Sequence, residues 1–129
     1  VKNKSTFIPK NIENPDLEKV FLPIRNQDLL VDISTQSLAL LSEDELKWSG
    51  MTVLENQFLG EIDNMSCFSV EISEDSPFME KTQLRSMMSL LSIIPDNLFI
   101  LCSRGIQLSE WYKLNKFARK SDILPGSVL

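Results

Sequence analysis

A chain of 129 residues with 43% hydrophobic and 24% charged residues has the make-up of one ordinary globular domain. It is long enough to bury roughly two-thirds of its unfolded surface, and its composition argues against a disordered or fibrous chain. Its 13 basic and 18 acidic residues give a formal charge of -5, which repels phosphate backbones and argues against autonomous nucleic-acid binding. Histidine is absent, so any catalysis would rest on carboxylates, Lys, Ser or Cys.

In chain order, residues 1–16 are mostly polar, contain Pro9 and Pro15 and have Phe7 and Ile8 as apolar anchors, so they are expected to form an arm lying over the domain. They contain no apolar run of signal-peptide length, and no segment approaches the ~20 apolar residues of a membrane helix. A cytoplasmic protein with no membrane partner is expected. Val20, Phe21, Leu22 and Ile24, then Leu29 to Ile33, form two β-rich runs around a polar turn at Arg25-Asn26-Gln27-Asp28. This predicts an antiparallel hairpin, and Pro23 favours an edge strand. Ser42 with Glu45 three residues later has capping-box spacing for one or two helical turns.

A second hairpin is predicted from runs at Thr52 to Ile62 and Ser66 to Ser73, separated by Asp63-Asn64-Met65. Its second strand alternates, with Cys67, Phe68, Val70 and Ile72 against Ser69, Glu71 and Ser73. Leu84, Met87, Met88 and Leu91 then have the spacing of a short helix, which Pro95 closes. From Pro95 to Phe117, Leu98, Leu101, Cys102, Gly105, Leu108 and Tyr112 recur at three and four residues, predicting one long helix with a face on the sheet. Phe99, Ile100, Ile106, Trp111 and Leu114 widen that stripe beyond what one sheet face needs. The helix is therefore either nearly surrounded or an oligomer interface, with Gln107, Trp111, Tyr112 and Leu114 as the interface candidates. Gly105 costs about 1 kcal/mol against Ala inside a helix, which predicts close approach of another backbone there. The architecture expected is α+β, with antiparallel hairpins forming a sheet packed by a short helix and one long C-terminal helix.

Several residue groups suggest chemistry, and each also has a structural reading. Cys67 and Cys102 lie among apolar neighbours and are expected to be buried free thiols, a disulfide being the alternative. The acidic groups Glu43, Asp44, Glu45 and Glu71, Glu74, Asp75 lack the oxygen-ligand spacing and turn glycine of a calcium loop and are expected on a solvated face. Arg104, Lys113, Lys116, Arg119 and Lys120 make the end of the long helix basic, which complements its dipole; a phosphate contact is the alternative. Trp111 beside Tyr112 is expected to serve packing in preference to base stacking.

Four pieces resemble one known family: Phe58-Leu59-Gly60; Cys67-Phe68-Ser69-Val70-Glu71-Ile72; Leu84-Arg85-Ser86-Met87-Met88; and Arg104-Gly105-Ile106-Gln107-Leu108-Ser109-Glu110-Trp111-Tyr112. Their order is similar to the N-terminal Nudix-like domain of NADH pyrophosphatases. The resemblance covers roughly residues 17 to 122 and is strongest over the last third. It implies a degenerate Nudix fold at 17–117, an arm at 1–16, and at 118–129 the remnant of a zinc-ribbon junction or a linker. In that family the domain is an accessory part that supports the catalytic one and contributes to a homodimer. The family's first zinc CxxC pair falls on Ala118 and Ser121, and neither side chain replaces a thiolate on zinc. No glutamate-bearing Nudix helix follows Gly50, Gly60, Gly105 or Gly126. The chain alone is thus expected to have no catalytic, cofactor-binding or metal residues, whereas the parent family implies Mg or Mn and structural zinc. The partners implied are a second copy or a C-terminal Nudix catalytic domain. A free-standing interaction module that keeps the accessory fold is the alternative. An independent enzyme using Ser or Cys has no base in a pattern that names it.

Overall fold

The computed structural model describes residues 6–77 and 80–122. Their order is β1 (Phe7–Pro9), β2 (Lys19–Arg25), β3 (Asp28–Asp32), β4 (Ser37–Leu38), β5 (Leu41–Ser42), α1 (Glu43–Trp48), β6 (Val53–Ile62), β7 (Met65–Ile72), β8 (Thr82–Arg85), a 3-10 turn (Met88–Leu90) and α2 (Asp96–Asp122). The fold is α+β. One mixed sheet runs β1-β6-β7-β2-β3-β4, with β5 added to β2 and β8 added to β3.

Both predicted hairpins form, each around a two-residue turn tighter than the sequence suggests. Asn26 and Gln27 have φ of 51° and 72°, and Asp63 and Asn64 have φ of 50° and 64°. Positive φ at both central positions is the type I′ pattern, whose twist matches that of the flanking strands. The short helix at Ser42 is also as expected: Ser42 Oγ accepts from the Glu45 N–H at 3.1 Å, and Glu45 Oε1 accepts from the Ser42 N–H at 2.8 Å.

Two expectations are corrected. Pro23 is not on an edge strand, because β2 lies inside the sheet, parallel to β7 from Lys19↔Ser66 to Ile24↔Glu71. On its other side β2 pairs with β5 at Val20 and Phe21 and with β3 at Ile24 and Arg25. Leu22 and Pro23 therefore fall at the fork between two partners, where a missing N–H removes no ladder bond. Across the fork, the Leu30 carbonyl accepts from the Ala39 N–H at 3.0 Å. The helix expected from Leu84 onward is also absent. Thr82–Arg85 is a strand that extends the sheet along β3, from Leu29↔Arg85 to Asp32↔Thr82. Only a 3-10 turn follows, and its buried residue is Leu90, while Met88 and Leu91 are exposed.

The sheet is covered on both faces, so β7 is buried along nearly its whole length and its alternation does not divide core from solvent. One face, with Leu22, Ile24, Leu29, Leu59 and Cys67, packs with Leu98, Leu101 and Cys102 of α2. The other face, with Phe21, Leu30, Phe68, Val70 and Ile72, packs with Leu41, Met51 and the half-buried Leu46 of α1. Phe21 and Phe68 stack at 5.4 Å between ring centroids. The arm contributes more than an overlay: β1 pairs antiparallel with β6, placing Phe7 in the core. No helix among the described residues is long and apolar enough to cross a membrane.

A candidate interaction surface on the long helix

Beyond the apolar packing of Leu98, Leu101 and Cys102, three contacts hold α2 on the sheet. The first is its crossing point at Gly105. A Cβ there would lie 3.1 Å from Ile24 Cδ1, 3.4 Å from Ser69 Cβ and 3.6 Å from Leu59 Cδ1. The expected approach of another backbone is corrected: the nearest atoms belong to side chains of three strands, which pack tightly against the glycine.

The second contact depends on an irregularity in β6. The β6–β7 register shifts between Phe58 and Gly60, leaving Leu59 as the extra residue of a bulge. The Leu59 side chain is fully buried, and its carbonyl accepts from Arg104 Nε at 2.7 Å and from the Lys10 N–H at 3.3 Å. Arg104 Nη2 also donates to the Lys10 carbonyl at 3.1 Å and to Asn11 Oδ1 at 2.9 Å. One guanidinium thus ties the helix, the bulge and the arm together, a fork geometry that Lys lacks. Gly60 lets the arm close in: with φ of 154°, a Cβ there would lie 2.2 Å from the Ile8 carbonyl oxygen.

The third contact is polar and nearly enclosed. The Glu71 side chain is 8% exposed and forms an ion pair with Lys113 Nζ at 3.3 Å. Ser109 Oγ donates to Glu71 Oε1 at 2.6 Å, and the Asn26 N–H donates to Oε2 at 3.3 Å. Glu71 therefore leaves the solvated-face reading, while Glu43, Asp44, Glu45, Glu74 and Asp75 are exposed, with Glu45 closing the capping box. Tyr112 belongs to this flank, lining a recess of about 230 Å³ with Arg25, Glu55, Glu71 and Lys113.

The opposite side of α2 is open. Ile100, Arg104, Gln107, Trp111 and Leu114 fall within an arc of about 80° at the helical 100° per residue. Ile100 is 50% exposed, Trp111 57% and Leu114 69%, with Gln107 exposed between them. A shallow groove of about 340 Å³ runs beside them, lined by Pro9, Phe99, Ile100, Ser103, Arg104 and Gln107. Of the four interface candidates, three lie on this stripe, while Tyr112 is turned toward the polar flank. Pro9 and Ile100, which the sequence did not single out as interface residues, join the surface.

The two thiols are free and fully buried, and both belong to the core under α2. Burial pushes each up to about 12, with the neighbouring Cys102 adding to the effect at Cys67. At neutral pH both are inert thiols. Ala118 and Ser121 lie on the helical backbone of α2, which continues through Asp122. Their side chains, and those of Lys116, Arg119 and Lys120, lie outside the described ones, so the phosphate alternative for the basic helix end falls there as well. Among the described residues, no group of three or more His, Cys, Asp or Glu is placed to hold a metal ion. Comparison with family models, curated proteins and solved structures gives no match to this chain.

Proposed function

We propose that this chain is a non-catalytic accessory domain of an NADH pyrophosphatase-like Nudix hydrolase, acting in self-association through the open face of α2. In this reading it is a cytoplasmic protein and its parent enzyme cleaves the NAD(H) diphosphate, with NAD-capped RNA as a further substrate class. The observation behind the reading is the convergence of two distant motif pieces. Phe58-Leu59-Gly60 forms the bulge, and Arg104-Gly105 grips it through the 2.7 Å bond to the Leu59 carbonyl and the close seat of Gly105. Leu59, Gly60, Arg104 and Gly105 of the family-like pieces are thus committed to architecture, while Gln107 and Trp111 of the last piece lie on the open face. What α2 then presents to a partner is an apolar stripe, the kind of surface that marks an association site when contiguous.

The test is NADH hydrolysis with Mg²⁺ or Mn²⁺ by this chain beside the full-length product of its gene. Activity confined to the longer protein is expected, and turnover by this chain alone would overturn the reading. Self-association is tested by sedimentation of Trp111→Ser and Leu114→Ser. Loss of the dimer with an unchanged circular dichroism spectrum is expected; a parent chain that is monomeric at high concentration removes the dimer role. The alternative, a free-standing interaction module, uses the same stripe and is favoured by inactivity of both proteins.

A further inference from the structure

Away from the stripe, at the end of the sheet where α2 begins, lies a cleft of about 550 Å³. Three separate segments wall it: β4 and the residues after it, the end of β6, and the connector that runs into the first turn of α2. Leu38, Ile62, Ile94 and Leu98, each nearly fully buried, form its walls, with the half-buried Leu40 and Ile93 nearer the opening. Its rim is the β3–β4 turn, which contributes the hydroxyls of Ser34, Thr35 and Ser37 and the amide of Gln36. Among the described residues, no charged side chain lines it. Asp32 and Arg85 lie across Gln36 and Ser37, in a separate recess of about 60 Å³. Arg85 is engaged there by Ser89.

Two features make this a built cleft. Its volume falls within the 300–1,000 Å³ that is roughly the range of small-molecule sites. The rim is also pinned open. Asp32 Oδ1 accepts from the Ser34 N–H at 2.9 Å, the Ser34 hydroxyl at 2.6 Å and the Thr35 N–H at 3.3 Å. The Thr35 and Ser37 hydroxyls bond each other at 2.7 Å, and Asp32↔Ser37 continues the strand ladder. The turn therefore does not fold down over the apolar walls.

We propose that this cleft binds a small uncharged molecule with an apolar body and one hydrogen-bonding head, the body against Leu38, Ile62, Ile94 and Leu98 and the head at the Ser34–Ser37 rim. An anionic ligand is excluded because the walls would desolvate its charge with no cation to balance it, and the Asp32 carboxylate that holds the Ser34 hydroxyl at 2.6 Å has the same sign. The proposal is independent of the proposed function, since it uses none of the stripe residues. The probe pair is N-phenyl-1-naphthylamine, which is neutral, and its sulfonated relative 8-anilinonaphthalene-1-sulfonate, titrated into the full chain. Saturable one-to-one binding of the neutral probe is expected, with amide shifts centred on residues 34–38 and 93–98. The sulfonated probe should bind at least roughly tenfold more weakly, and Leu40→Trp or Ile93→Trp should weaken the neutral probe by a similar factor. Shift mapping needs no variant, so it decides the matter even if both substitutions unfold the chain. Shifts centred on residues 100–114, equal affinity for the two probes, or no saturation would each overturn the proposal.

Discussion

Gly105→Ala tests the seat of α2 because two effects of known size oppose each other there. In an unobstructed helix this substitution stabilises by about 1 kcal/mol, since Gly is the weakest ordinary helix former. Here the added Cβ would lie 3.1 Å from Ile24 Cδ1 and 3.4 Å from Ser69 Cβ. Ile24 is fully buried and has little room to withdraw, so the extra methyl overpacks the interface at a cost of about 1–3 kcal/mol. The net expectation is a loss of up to about 2 kcal/mol in urea unfolding, with an unchanged m-value. The diagnostic step is the second substitution. Ile24→Val alone costs about 0.5–1.5 kcal/mol, but it removes the atom nearest the new Cβ and so should cost much less, or stabilise, in the Gly105→Ala background. A coupling of at least about 0.5 kcal/mol is expected from the double-mutant cycle. A Gly105→Ala variant that gains the full propensity term and shows additive behaviour with Ile24→Val would refute this seating of the helix.

Three further outcomes are expected. Arg104→Met removes the guanidinium bonds to the Leu59 and Lys10 carbonyls and to Asn11, and should speed amide hydrogen exchange in residues 7–10 more than in β6 or β7, with about 1–3 kcal/mol lost globally. Ser109→Ala strips the 2.6 Å bond from the buried Glu71 carboxylate and should cost about 1–3 kcal/mol; combined with Glu71→Leu, the loss should fall short of the sum of the two singles. Both thiols are raised from 9.0 to about 12 in the folded chain, so the stability they contribute is complete below about 9 and is lost as pH rises toward 12. Two thiols at about 1.4 kcal/mol per pH unit give a fall of up to about 2.7 kcal/mol per unit above pH 9, and a Cys67→Ala/Cys102→Ala variant should lack that slope in denaturant titrations between roughly pH 8.5 and 10.

What the sequence reveals about this fold is what local patterning controls. The capping box at Ser42, both hairpins and the helix from Asp96 depend on residues within a few positions of one another, and all form. The misread parts depend on partners far away in the chain. Leu84 fits a helical stripe equally well, but the free side of β3 draws residues 82–85 into a strand. Pro23 suggests an edge because its own sequence does not show that β2 changes partner beside it. The same holds for the candidate surfaces. Trp111, Leu114 and Gln107 share a helical face and are found by counting, whereas Pro9 reaches that face only because β1 pairs with β6. The cleft near Leu38 and Leu98 has no signature at all, being assembled from three segments distant in sequence.

The residues at the helix crossing and the exposed residues of α2 obey different constraints. Leu59, Gly60, Arg104 and Gly105 are fixed by the bulge and by close approach, so any chain that builds this crossing would tend to keep them whatever its function. Ile100, Trp111 and Leu114 are under no such demand, because half or more of each side chain is exposed and the helix is already seated by its opposite face. Polar residues at these three positions should leave the monomer within about 0.5 kcal/mol of its stability. Trp111 and Leu114 on adjacent turns, with Ile100 about three turns earlier on the same face, are not needed by the isolated fold and are the kind of exposed apolar side chains that favour association. The proposed partner-binding role is therefore tested on that stripe, where a change in association with no change in stability separates it from a structural one.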